Sequence, residues 1–334
     1  MNEDAADCTP TPTTRRADPS LSSAQRGFTL IELLVVIAII ATLIGILLPA
    51  LGKAKESAEG VVCMSRMREV AVGWQFYADD NHDISVPGQP GRFADESLNL
   101  YPLGSGLHYR PRWFALIGAA AGFDAYSRPS IDPDDEHSLP VDGSEVFLCP
   151  TVPDWVSTRN FAYGYNHQFL GNTRFNDINS DTSGFINFPV RASSIAASQT
   201  VLAADSMGTA AGKPERLREP NIEDGSRDDG DATPLHALGG HGYIIDPPRL
   251  AEQNSDYADP RYRADPHRSA PHERHGGRAN VSFCDGHVER LSLAELGYFV
   301  EGDGVVAARG GTARNTLFSG TLLDELAPGL VSNP

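Results

Sequence analysis

From Phe28 to Leu51 the chain runs through 24 residues in which Glu32 is the only charged side chain. Nothing else in the sequence restricts the fold so sharply. A bilayer core is crossed by about 20 apolar residues as a helix, because each backbone polar group must find its partner inside the segment. A conventional secretory signal fits worse, since its apolar core is about 7–15 residues long and is followed by a small-residue cleavage site. Here Leu47-Leu48-Pro49-Ala50-Leu51 passes directly into a helix-like continuation. The run predicts a membrane helix. Its one acid is the odd part, because an ionised carboxylate there costs on the order of a few kcal/mol unless it is paired or reaches the interface. Glu32 either snorkels to the headgroups or meets a cation.

The order Arg26-Gly27-Phe28-Thr29-Leu30-Ile31-Glu32, followed by Leu33-Leu34-Val35-Val36-Ile37-Ala38-Ile39-Ile40, closely resembles the N-terminus of type IV prepilins and type II secretion pseudopilins. The resemblance covers about 25 residues, close to the ~20 that span a bilayer, and it implies a set of roles. A membrane-embedded prepilin peptidase, which is also the N-methyltransferase, cuts after Gly27 and methylates Phe28. Glu32 then pairs with the N-terminal amine of a neighbouring subunit. Pro49 falls where many of these proteins carry a helix-kinking proline. Physical chemistry agrees: glycine allows close backbone approach to a protease, and an amine beside a buried carboxylate lowers its cost.

The formal net charge is −17, and the segment before Phe28 holds four acids and three arginines, so the chain from Phe28 onward keeps −16. Such acidity disfavours a nucleic-acid partner and suits a solvated surface or divalent cations. Basic residues flank the apolar run on both sides (Arg15, Arg16 and Arg26 before it, Lys53, Lys55, Arg66 and Arg68 after it), so charge does not orient the span. The resemblance does: it implies a leader in the cytoplasm, a single pass through the inner (cytoplasmic) membrane, and the large domain outside, with a surface or periplasmic filament as its destination.

Beyond Leu51, Val61, Met64, Met67, Ala71, Trp74 and Ala78 recur at spacings of three and four, an apolar stripe for packing on a soluble domain. Gly52 and Gly60 weaken the helix locally. The run Asp79-Asp80-Asn81-His82-Asp83 ends it, either as a solvated terminus or as a calcium site. Short apolar pieces follow at Ile84–Val86, Trp113–Ile117, Val146–Cys149, Phe161–Tyr165 and Thr200–Ala204, several of which read as strands. Residues 213–272 form a polar insertion far longer than ordinary connections.

Near the C-terminus, Asn280-Val281-Ser282-Phe283-Cys284 and His287-Val288-Glu289-Arg290-Leu291 alternate around Asp285-Gly286, a strong hairpin signal. Nine residues separate His275 from Asp285-Gly286, which resembles the H-X9-DG element of a prepilin-like group abundant in planctomycetes and their relatives. Cys63 with Tyr77-Ala78-Asp79-Asp80-Asn81, and Phe147-Leu148-Cys149-Pro150, also look like motifs of that group. His275, Asp285 and His287, with His272 nearby and Asp205 on a neighbouring strand, offer ligand types for zinc or another divalent metal. The plainer reading is a structural turn. Cys8 lies in the leader; among Cys63, Cys149 and Cys284, a Cys63–Cys149 bridge would tie helix to domain, and three buried thiols are the other reading. No nucleophile elbow, phosphate loop or CxxC pair accompanies them, so no enzymatic activity is expected.

The expected architecture is therefore α+β and pilin-like, a long N-terminal helix on a mainly antiparallel sheet with long loops. Its parts are a leader at 1–27, a membrane and assembly helix at 28–51, an amphipathic continuation at 52–82, and an extracytoplasmic domain at 83–334 with a hairpin at 275–291. The expected partners are the prepilin peptidase, other pilin-like subunits and the inner membrane. No cofactor is established by the sequence beyond a candidate divalent metal. A membrane-tethered binding protein for a ligand or metal is the competing reading.

Overall fold

The apolar run and the stripe that follows it form one helix, α1 (Leu30–Asp80), with Pro49 inside it. The computed structural model describes residues 28–88, 90, 93–125, 131, 145–152, 155, 162–171, 173–175, 185–187, 189–219, 236–250, 268–308 and 310–327. The leader, including Gly27 and Cys8, and most of the 213–272 insertion lie outside the described residues. The chain divides into two units, Met1–Leu51 and Gly52–Pro334. In the first, every described residue is exposed.

In the second unit α1 buries Gly60, Cys63, Met67, Val70, Ala71, Gly73, Trp74 and Ala78. This shifts the expected stripe. Val61 is 60% exposed, whereas Cys63 is fully buried. At about 100° per residue, the two-residue step from Val61 to Cys63 puts them on opposite sides of the helix. The helix stops where His82 and Asp83 adopt left-handed backbone, with φ of 57° and 69°. The Asp83 carboxylate then accepts from Ser193 N (3.0 Å) and Ser193 Oγ (2.5 Å), so this acid fastens a neighbouring turn.

Strands β1 (Leu100–Leu103) and β2 (Gly106–Tyr109) make an antiparallel hairpin that leads into helix α2 (Trp113–Ala121). Trp113–Ile117 is thus helical rather than a strand. The three alanines after Gly118 extend it cheaply, and Gly122 closes it at φ 79°. All of Trp113–Gly118 is buried; an apolar run covered on every side has no strand alternation to read. Val146–Cys149 also differs, since Glu145–Phe147 is a 3-10 turn.

The remaining strands are β3 (Tyr163–Tyr165), β4 (Thr173–Phe175), β5 (Phe185–Asn187), β6 (Val201–Gly208), β7 (Ala270–Pro271), β8 (Ala279–Phe283) and β9 (Val288–Leu291). The main sheet is antiparallel in the order β3-β6-β8-β9, with β7 also paired to β6. The hairpin around Asp285-Gly286 is β8–β9, in register from Ala279–Leu291 to Ser282–Val288. Every residue of β6 is buried. Along one edge it pairs with β8 through Ala204, and with β7 from Ser206 onward. Asp205 therefore sits where the partner strand changes, and the β7–β8 loop crosses there.

Candidate functional site

That loop builds the centre of the molecule's polar interior. His272 N donates to Asp205 O (2.8 Å), and His275 N donates to Arg278 O (3.0 Å) across Gly276 and Gly277. Both glycines have positive φ, 68° and 77°, a backbone that other residues adopt at a cost. The turn brings His275 over β6. From α1, Cys63 faces the same spot. Arg66, one helical turn on, donates to Leu148 O (3.0 Å) and so holds the segment carrying Cys149 against the helix.

The result is a group of four buried side chains, Cys63, Cys149, Asp205 and His275, whose donor atoms all lie within 4.8 Å of one another. His275 Nε2 is 3.6 Å from Cys149 Sγ and 3.3 Å from Asp205 Oδ2. Tyr163 Oη donates to Leu148 O (2.9 Å) and lies 3.4 Å from Cys63 Sγ. Asp205 also accepts from Asn280 N (2.7 Å) and forms an ion pair with Arg274 (2.5 Å). Arg274 is itself buried, donating to Ser206 O (3.0 Å) and Ala162 O (2.6 Å). Gly60 is what lets the helix come so close, because a Cβ there would collide with Arg290 Nη2 and stand 3.2 Å from His275 Nδ1.

The electrostatics follow from this crowding. The hydrogen bond between the two thiols, joined by burial and the Asp205 charge, raises Cys63 far above the usual thiol range. The same bond lowers Cys149, aided against burial by His275 and Arg274. Burial pulls His275 down, but its bonds to Asp205 and Cys149 outweigh it and lift the imidazole to about 9. His272 has no such acceptor among the described residues. Burial, followed by the Arg274 charge, depresses it to about 3.

Of the ligands expected from sequence, His275 joins this group and Asp285 and His287 do not. Those two pair with each other on the hairpin (2.5 Å), each about one-third exposed, and the His287 ring stacks on Phe283 at 4.3 Å. The separation is geometric: His275 precedes β8, whereas Asp285 and His287 lie in the turn beyond its far end. Cys63 and Cys149 do meet, as free thiols. Cys63 and Cys149 were legible only as a pair, and Asp205 only as an acid after an apolar run. An acid inside a strand that is otherwise covered throughout is the signal that places it at a site.

At the other end of the chain, Glu32 closes the first turn of α1. Its Oε2 accepts from Thr29 N (2.9 Å) and Thr29 Oγ1 (2.9 Å), while Glu32 N donates to Thr29 Oγ1 (3.2 Å). This is a reciprocal capping box, which the Thr-x-x-Glu spacing encodes. Phe28 is exposed beside it, and α1 is long and apolar enough to cross a membrane. Residues 22–48 match the family model for the prokaryotic N-terminal methylation motif. The motif marks pilin-like structural subunits, which are not enzymes. Together with the apolar helix it indicates a membrane-anchored, type IV pilin-like protein of α+β fold. No curated protein and no solved structure matches the chain.

Proposed function

We propose that this chain is a structural subunit of a pilus-like or type II secretion-like filament, held in the inner membrane by α1 until assembly, with its large domain on the extracytoplasmic side. Prepilin peptidase cuts after Gly27 and methylates the new amine of Phe28. The observation that carries this reading is the methylation motif lying on the start of a long helix whose first part, up to Leu51, is apolar and exposed throughout. Cleavage places a positive amine four residues before Glu32. In lipid, that carboxylate is far less costly beside an amine than alone. The apolar faces of Leu30–Leu51 from neighbouring subunits then pack together, and the domains face outward.

Mass spectrometry of the protein from the membrane fraction tests this directly. The expected N-terminal peptide begins with methyl-Phe28. An intact Met1 start in cells with active prepilin peptidase would overturn the reading.

A further inference from the structure

We propose that Cys63, Cys149, Asp205 and His275 are the four protein ligands of a structural zinc site that locks α1 onto the sheet. This goes beyond the filament reading, which needs no metal.

Three observations converge. The first is the donor set: two sulfurs, one imidazole and one carboxylate, all buried, drawn from four separate segments and meeting within 4.8 Å. Thiolate and imidazole donors in a closed set of four are what a structural zinc takes. The second is the spacing. For tetrahedral zinc with ordinary bond lengths, the sulfur–nitrogen edge is about 3.6 Å and the nitrogen–oxygen edge about 3.3 Å. Cys149 Sγ stands 3.6 Å and Asp205 Oδ2 3.3 Å from His275 Nε2.

The third is which nitrogen is used. In a Cys-His-Asp catalytic arrangement the imidazole turns one nitrogen to the sulfur and the other to the carboxylate. Here the sulfur and the carboxylate both face Nε2, and Nδ1 points away toward Gly60. Four donors clustered within 4.8 Å of one another suit a cation among them. They do not suit proton relay to a substrate, which the buried position would also keep out.

Charge closes as well. Two thiolates and Asp205 supply three negative charges, and a divalent metal with Arg274 supplies three positive ones. Arg274 is fixed on the carboxylate oxygen that does not face His275, so Asp205 Oδ2, which also accepts from Asn280 N, has a further lone pair to offer a metal. The zinc would join α1, the Cys149 segment, β6 and the β7–β8 loop.

The test uses the full-length chain purified in detergent without chelator from metal-replete cells, with metal content read by plasma mass spectrometry. The expected result is about one zinc per chain, as a closed four-ligand site holds. It falls to background in His275→Gln and in Cys63→Ser/Cys149→Ser, and persists in Asp285→Asn and His287→Gln. Should the ligand variants fail to fold, the wild-type chain still decides. After metal removal under reducing conditions, added Co2+ should give the intense visible bands of tetrahedral cobalt and a thiolate-to-cobalt charge-transfer band. A folded wild-type chain that neither carries zinc nor shows these bands overturns the site. So does a peptide map showing a Cys63–Cys149 disulfide in freshly isolated protein, or zinc retained at full occupancy in the double cysteine variant.

Discussion

Glu32 carries two duties that a single substitution can separate. Its carboxylate closes the capping box on Thr29, and its charge is what an incoming amine would meet. Glutamine keeps the reach and the acceptor of a capping box but not the charge. Glu32→Gln should therefore insert in the membrane and start its helix normally, yet fail to enter filaments. Membrane fractionation alongside filament yield reads both. Wild-type yield from Glu32→Gln would reduce Glu32 to a cap. Arg274 presents the opposite case, a cation that cannot be given up. It neutralises Asp205 and satisfies the Ser206 and Ala162 carbonyls in a site closed to water. Removing one partner of such a pair typically costs about 3–5 kcal/mol, because the other charge is left buried alone. Arg274→Ala should lose stability on that scale in chemical denaturation. Arg274→Lys should recover only part of it, since an ammonium cannot reproduce the planar fork that reaches three acceptors.

At the level of elements, β6 is the piece on which the domain is organised, and its last residue shows how tightly. Gly208 ends the strand at φ 63° and ψ −152°, a region open essentially to glycine alone. A Cβ there would run into the Gly240 carbonyl oxygen, which accepts from Thr209 N at 2.7 Å. Gly208→Ala should destabilise by roughly 2–4 kcal/mol, combining backbone strain with overpacking. A midpoint in urea within error of wild type would count against this account. The strand and hairpin pattern around Asp285-Gly286 was plain in the sequence, because alternation across a two-residue turn is a local signal. The long helix was equally plain from its length. What stayed hidden depends on contacts between distant segments. Trp113–Ile117 is covered on all sides and so has no period to betray its helix. His275, Asp205, Cys63 and Cys149 come together only because β6 changes partner at Asp205 and because Gly60 lets α1 approach. The expected trio of His275, Asp285 and His287 followed proximity in sequence, which a strand converts into distance.

For the whole molecule, the distribution of burial sets what can be cut away. Every residue from Phe28 to Ala58 is exposed, whereas Gly60, Cys63, Met67, Val70, Ala71 and Trp74 belong to the interior of the second unit. The helix is continuous, but its stabilising contacts begin past the membrane segment. Fifteen of the seventeen net negative charges also fall on residues 52–334, which favours solubility once the apolar run is gone. Deleting residues 1–51 should therefore yield a detergent-free protein whose unfolding free energy, read by urea denaturation, is within about 0.5 kcal/mol of that of the full chain. Deleting residues 1–72 removes Cys63, Met67, Val70 and Ala71 together. Each large apolar side chain lost from a packed core costs about 2–5 kcal/mol, so that truncation should show no cooperative transition against a domain stability of about 5–15 kcal/mol. The pair of truncations separates an anchor from a core element on one helix. If the shorter deletion unfolded as badly as the longer one, the exposed segment would have to contribute contacts to the domain, and α1 would not be divided between membrane and core.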